Sequence, residues 1–144
     1  MVLRSKLTVL LGTMMVMMVA ATLFGVHEAL AVDRLGTAEG EPLTGSEGMD
    51  YLNGRGGDDY LYALGGDDTI YGGRGNDRIY PGEGADEVYA GAGNDLIYAR
   101  DTASYDYIDC GGGFDQVETI HRDDVTLSNC ERALGPRAGN IPTE

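Results

Sequence analysis

Along the middle of this chain the apolar positions recur every nine residues, a period that fits neither the turn of a helix nor simple strand alternation. Leu52, Leu61, Ile70, Ile79, Val88 and Ile97 mark it. Each lies in a short run of β-formers, such as Thr69-Ile70-Tyr71, Arg78-Ile79-Tyr80 or Glu87-Val88-Tyr89, bounded by glycine. Such a run is enough for one small strand, and alternation puts the aliphatic residue on one face and its neighbours on the other. The flanking glycines permit turns that other residues resist. Turn, strand, turn, strand predicts an all-β, flattened right-handed coil in which two blocks complete one winding.

The polar positions keep the same frame. The blocks run without a gap as GSEGMDYLN from Gly45, GRGGDDYLY, ALGGDDTIY, GGRGNDRIY, PGEGADEVY and AGAGNDLIY. Their sixth position is always Asp: Asp50, Asp59, Asp68, Asp77, Asp86 and Asp95. Their fourth is always Gly: Gly48, Gly57, Gly66, Gly75, Gly84 and Gly93. The edges are degenerate, as expected where a stack must stop and face water. Block 36–44 keeps Leu43 but has Glu41 for Asp and Glu39 for Gly; after Tyr98 two extra residues, Ala99 and Arg100, precede blocks holding Asp106 with Ile108 and Asp115 with Val117.

This frame stacks carboxylates. Blocks two apart lie one strand spacing from each other, about 4.8 Å, so Asp50 falls over Asp68, Asp59 over Asp77, Asp68 over Asp86 and Asp77 over Asp95. Each pair would repel by roughly 3 to 4 kcal/mol at an effective dielectric near 20. A hard divalent cation between them reverses the sign. Calcium suits best, because it takes six or more oxygens in irregular geometry and the turns offer backbone carbonyls. Zinc would call for His or Cys ligands.

Composition agrees with this chemistry. The chain has 144 residues, 24 acidic against 10 basic, a formal charge of −14, 23 glycines and no tryptophan. Large core side chains are scarce, so stability must lean on something else. The acidic balance excludes a nucleic-acid partner, which recruits clustered basic residues. Residues 1–31 form a separate object: Arg4 and Lys6, an apolar run from Leu7 to Val26, and then Ala29-Leu30-Ala31, the pattern of a secretory signal cleaved before Val32. The run is also long enough to span a bilayer as an uncleaved anchor. Cleavage leaves no lysine and His121 as the one histidine. Cys110 and Cys130 are an even pair in an exported chain, which reads as a disulfide. Closing that loop is worth roughly 3 kcal/mol in the chain-entropy account.

The blocks resemble the RTX, or hemolysin-type, calcium-binding nonapeptide GGxGxDxUx, and GGRGNDRIY at 72–80 matches every defined position. The resemblance covers roughly residues 36–118 and implies a parallel β-roll with calcium between a loop and the loop two blocks later. The first loop is implied to give the carbonyls of positions two and four with its Asp, and the second the carbonyls of positions one and three with its Asp. One site would thus use Gly73, Gly75 and Asp77 with Ala90, Ala92 and Asp95; another would use Arg55, Gly57 and Asp59 with Gly72, Arg74 and Asp77. By the same rule Gly48, Gly65, Gly66, Gly82 and Gly84 contribute carbonyls, and Asp50, Asp68, Asp86, Asp106 and Asp115 carboxylates. Glu39 and Glu41 depart from the pattern at one end, and the Ala99–Arg100 insertion breaks the spacing behind the pairs Asp86/Asp106 and Asp95/Asp115. The stretch from Ile108 to Arg132 resembles the closing region of exported bacterial repeat proteins, where two cysteines staple the open end and Val125 and Leu127 alternate as a last strand.

The chain therefore divides into a signal (1–31), a calcium-binding roll (32–118), a cap strand (119–132) and a disordered tail (133–144). Tyr62, Tyr80 and Tyr98 fall in one row and Tyr71 and Tyr89 in another, either as cross-strand support or as a flat adhesive face for a cell-surface or matrix partner. Neither H-E-x-x-H nor G-x-S-x-G occurs, and the glycine strings precede no helix, so the expectation is a secreted, non-enzymatic protein with calcium ions as its ligands.

Overall fold

A computed structural model describes residues 30–100, 105–119 and 125–134, and all twelve of its elements are strands. One sheet holds β1 (Asp33–Leu35), β3 (Tyr51–Gly56), β5 (Thr69–Arg74), β7 (Glu87–Ala92), β9 (Asp106–Asp109) and β11 (Val125–Ser128), in that order. The other holds β2 (Pro42–Ser46), β4 (Tyr60–Gly65), β6 (Arg78–Glu83), β8 (Leu96–Ala99), β10 (Gln116–Thr119) and β12 (Arg132–Leu134). Every pairing is parallel, so the chain is a β-solenoid of about five turns. The expected all-β parallel roll is what the chain forms.

Register follows the nine-residue frame. Leu52 pairs with Ile70, Ile70 with Val88, Leu43 with Leu61 and Leu61 with Ile79. Past the insertion, Val88 pairs with Ile108 and Ile97 with Val117, twenty residues on. The two extra residues therefore shift the spacing to twenty without breaking the register, and the ladder continues.

Three inward positions fill the space between the sheets. The aliphatic residues from Leu52 to Val117 are fully buried, and Ala63, Ala90, Ala99 and Cys110 lie beside them. The third inward position is the aspartate: Asp59, Asp68, Asp77, Asp95 and Asp115 are each at most 2% exposed. One aliphatic residue per strand is a thin core, each contributing about 1.5–3 kcal/mol. The first position of each block also faces inward, and this explains its small residues more directly than turn formation does. A Cβ on Gly72 would meet the Ala90 carbonyl and the Asp77 carboxylate.

Outside, the tyrosines stack in the two expected rows. Tyr62/Tyr80, Tyr80/Tyr98 and Tyr71/Tyr89 have ring centroids 4.7, 4.6 and 4.9 Å apart and nearly parallel planes. Ring faces cover one another. Arg78 lies over the Tyr60 ring, 5.1 Å from its centroid.

At the C-terminal end Cys110 and Cys130 form a disulfide packed against the core, and β11 pairs with β9 as the alternation of Val125 and Leu127 anticipated. One boundary moves. Ala133 and Leu134, expected in the disordered tail, pair with Val117 and Glu118 as part of β12, because the edge of β10 offers backbone groups that another strand can satisfy. The expected signal up to residue 29, His121 and residues 135–144 lie outside the described residues.

The close approach of successive loops makes a prediction about glycine. Gly93 has φ +145°, and a Cβ there would overlap the Gly75 carbonyl oxygen, whereas one on Gly112 would meet nothing within 4 Å. Gly93→Ala is expected to lower stability in calcium by at least about 2 kcal/mol, and Gly112→Ala to change it by no more than about 0.5 kcal/mol. Thermal unfolding followed by circular dichroism compares them; equal losses would mean that the loops are not packed this closely.

Candidate metal centre

The aspartates are held from both sides by backbone. The Asp59 carbonyl accepts from Arg78 N at 2.8 Å and the Asp77 carbonyl from Leu96 N at 2.9 Å, which continues the sheet ladder into the turn. Each Asp amide then donates to the Oδ1 of the aspartate one winding later. These bonds run Asp50 to Asp68 (2.7 Å), Asp59 to Asp77 (2.8 Å), Asp68 to Asp86 (2.9 Å) and Asp77 to Asp95 (2.8 Å). Beyond the insertion they run Asp86 to Asp106 (3.1 Å) and Asp95 to Asp115 (2.8 Å), so the pairs whose spacing is broken are in line all the same.

Two glutamates end one of these two rows, the row through Asp59, Asp77, Asp95 and Asp115. The Glu41 amide donates to Asp59 Oδ1 at 2.9 Å, so Glu41 stands where the first aspartate would. At the other end the Asp115 amide donates to Glu131 Oε2 at 3.0 Å. Sequence reasoning missed Glu131. It lies outside the nine-residue frame and reaches its place only because β12 pairs with β10.

Only one oxygen of each carboxylate is used this way. Oδ2 of Asp59, Asp68, Asp77, Asp95 and Asp115 is buried and has no hydrogen-bond partner. A buried, unsatisfied carboxylate oxygen is costly. Burial accordingly raises the carboxyl pKa of Asp68 and Asp95 to about 7 and of Asp77 to about 6. The amide at Oδ1 opposes this, and neighbouring carboxylates add to it: Asp86 and Asp50 at Asp68, Asp59 at Asp77, and Asp77 and Asp115 at Asp95. Burial also raises Asp59 and Asp115.

First-position carbonyls lie beside these oxygens, since a Cβ on Gly54 would meet Asp59 Oδ2 and the Gly72 carbonyl together, and the loops present further carbonyls to one another. In the blocks starting at 54, 63, 72, 81, 90 and 110, positions two and four are both left-handed: Arg55/Gly57, Leu64/Gly66, Gly73/Gly75, Gly82/Gly84, Gly91/Gly93 and Gly111/Gly113. Their carbonyls project onto the next loop, Arg55 O towards Gly73, Gly57 O towards Gly75, Leu64 O towards Gly82 and Gly66 O towards Gly84. Third-position carbonyls point back: Glu83 O accepts from Gly66 N at 2.8 Å and Ala92 O from Gly75 N at 2.9 Å. Each keeps a second lone pair. Among the described residues no three of His, Cys, Asp and Glu gather to hold a metal, so carboxylates come in pairs and carbonyls must complete the set. An all-oxygen set of this kind fits calcium.

Two loops differ. Thr37/Glu39 and Ser46/Gly48 hold the same block positions, and neither pair is left-handed. Asp50, expected as a ligand, accepts at Oδ2 from the Ser46 amide, and at Oδ1 from Val32 N (2.6 Å) and Ser46 Oγ (2.9 Å). Outside the ligand space a second row runs along the loops, with Asn76 N donating to Asp58 Oδ1 (2.7 Å), Asn94 N to Asn76 Oδ1 (2.9 Å) and Phe114 N to Asn94 Oδ1 (2.9 Å). The recurrent Asp or Asn at position five signals it.

Among the described residues no helix is long and apolar enough to cross a membrane. Comparison with curated proteins and with solved structures returned no match. The family model described as RTX calcium-binding nonapeptide repeat (4 copies) matches residues 44–79, 71–103 and 80–117, more than half of the chain and the stacked loops from Gly45 onward to Val117. With the aspartate ladder in register beneath that match, the chain belongs to the RTX family of calcium-binding nonapeptide repeat proteins.

Proposed function

We propose that this protein is an exported β-roll whose folding is driven by calcium bound between successive loops. The observation that carries the reading is the row of buried Oδ2 atoms without partners facing loop carbonyls. The ligand sets at Asp59/Asp77, Asp68/Asp86 and Asp77/Asp95 are those implied by the family pattern, and Asp86/Asp106 and Asp95/Asp115 continue it across the insertion. A bound cation supplies the positive charge that buried carboxylates need, so binding and folding become one process. Affinities of 10⁻⁴–10⁻³ M are typical of extracellular calcium modules, roughly matching calcium outside cells and far above that inside. Residues 1–31 would direct export, which N-terminal sequencing of the released protein checks.

An adhesive role for the tyrosine rows is the second reading. Stacking occupies the ring faces and leaves edges and hydroxyls outward, which favours a supporting role for these rows. Unchanged retention on cell wall or glycan after Tyr71→Thr and Tyr89→Thr would remove adhesion.

Calcium titration monitored by circular dichroism is the principal test: β-structure should appear with calcium and vanish in excess chelator. Asp77→Asn should raise the calcium midpoint by about tenfold or more, since tenfold corresponds to only about 1.4 kcal/mol and this residue serves two loop pairs. A chain fully β-structured in chelator would sink the coupling.

Protons compete for the same oxygens, with opposite consequences for the two states. Without calcium, the folded roll holds protons on Asp68 and Asp95 up to about pH 7, whereas the unfolded chain releases them near 3.8. Stability of the calcium-free roll therefore falls as pH rises between these values and is flat above. Acidifying from pH 8 to pH 5 in chelator should promote β-structure, while in calcium it should raise the midpoint. A midpoint independent of pH across this window would argue against Asp68 and Asp95 as ligands.

A further inference from the structure

The first winding is built from the same blocks as the rest, yet its interior is closed by the protein itself. In block 45–53 the second position is Ser46, with a backbone outside the left-handed region that Arg55, Leu64, Gly73, Gly82 and Gly91 all adopt. Its amide consequently points inward, onto Asp50 Oδ2. Its hydroxyl reaches Asp50 Oδ1 and also accepts from Gly48 N at 3.2 Å. Block 36–44 repeats the device: Thr37 N donates to Glu41 Oε1 at 2.5 Å, and Thr37 Oγ1 accepts from Glu39 N at 3.2 Å. In later loops the fourth-position amide bonds instead to the loop one winding on, as Gly66 N does to Glu83 O and Gly75 N to Ala92 O.

A hydroxyl at position two accounts for the difference. Ser and Thr side chains bond the amide two residues on and so stabilise a local turn. A β-branched Thr also resists the left-handed conformation. With that turn in place, the carboxylate oxygen left bare in later blocks meets an N–H, and charge-assisted donation to a carboxylate is among the stronger hydrogen bonds. Positions two and four also lack the left-handed conformation that the later loops share.

We propose that residues 32–50 form a metal-free end cap, in which the Thr37 and Ser46 amides take the place of the cation, so that the calcium ladder begins at Asp59. This rests on the calcium reading above, removes Gly48, Asp50 and Gly65 from the ligand set and leaves Glu41 outside it. The cap gives the stack an end that is satisfied without an ion exposed to solvent on one side.

The direct test is a crystal structure of the full chain grown in saturating calcium, with ions located by anomalous scattering. The cap requires an ion between Asp59 and Asp77 and none against Asp50 or Glu41. An ion bound by Asp50 overturns it; no ion anywhere overturns the calcium reading instead. In solution, Asp50→Asn should keep the wild-type number of bound calcium ions by equilibrium dialysis, while Asp77→Asn loses ions. Loss of an ion from a folded Asp50→Asn would overturn the cap, and if that variant does not fold, the wild-type crystal structure decides.

Discussion

Carboxylates stacked about one strand spacing apart in a dry interior are the constraint on which the rest of this protein turns. Burying charge without a partner costs several kcal/mol per group, and a core of one aliphatic side chain per strand has little to set against it. Glycine-rich loops, alternating left-handed residues and carbonyls projected onto the next loop all serve the same few cubic ångströms between windings. Each feature is intelligible as a way of surrounding a hard cation with oxygen.

The frame of Asp, Gly and aliphatic residues was legible because the roll repeats one local solution, and any position that must satisfy the same neighbours in every winding leaves a periodic mark. Asp59 through Asp95, the strands centred on Leu52 through Ile97 and the stacked tyrosines all follow from it. What was not legible lies where periodicity stops or where backbone conformation decides. Glu131 has no periodic neighbour and is placed by the pairing of Arg132 with Gln116. Spacing alone made Asp106 and Asp115 doubtful, since it does not say that the strands keep their register across two added residues. Ser46 holds a position that carries Arg, Leu or Gly in the blocks that follow, and its hydroxyl and amide change how Asp50 is satisfied.

The two ends are finished differently. At the start, short β1 and β2 lie over a winding whose carboxylates are met by amides. At the finish, the Cys110–Cys130 bridge holds the last chain segment against the core while β11 and β12 cover the sheet edges. Both arrangements address the liability of parallel sheets, which otherwise present open rows of backbone donors and acceptors. A covalent staple suits the end where the nine-residue pattern has run out.

The amide-to-carboxylate bond linking each aspartate to the next has a consequence for fidelity. A strand in a repetitive sheet can slide, and a slip of one residue turns every side chain to the wrong face. Here a slipped strand would also separate each Oδ1 from the amide it accepts and strand a charge in the interior. The side chain that invites the ion thus doubles as a proofreading mark, and a chain built from near-identical words is copied onto itself in a single frame.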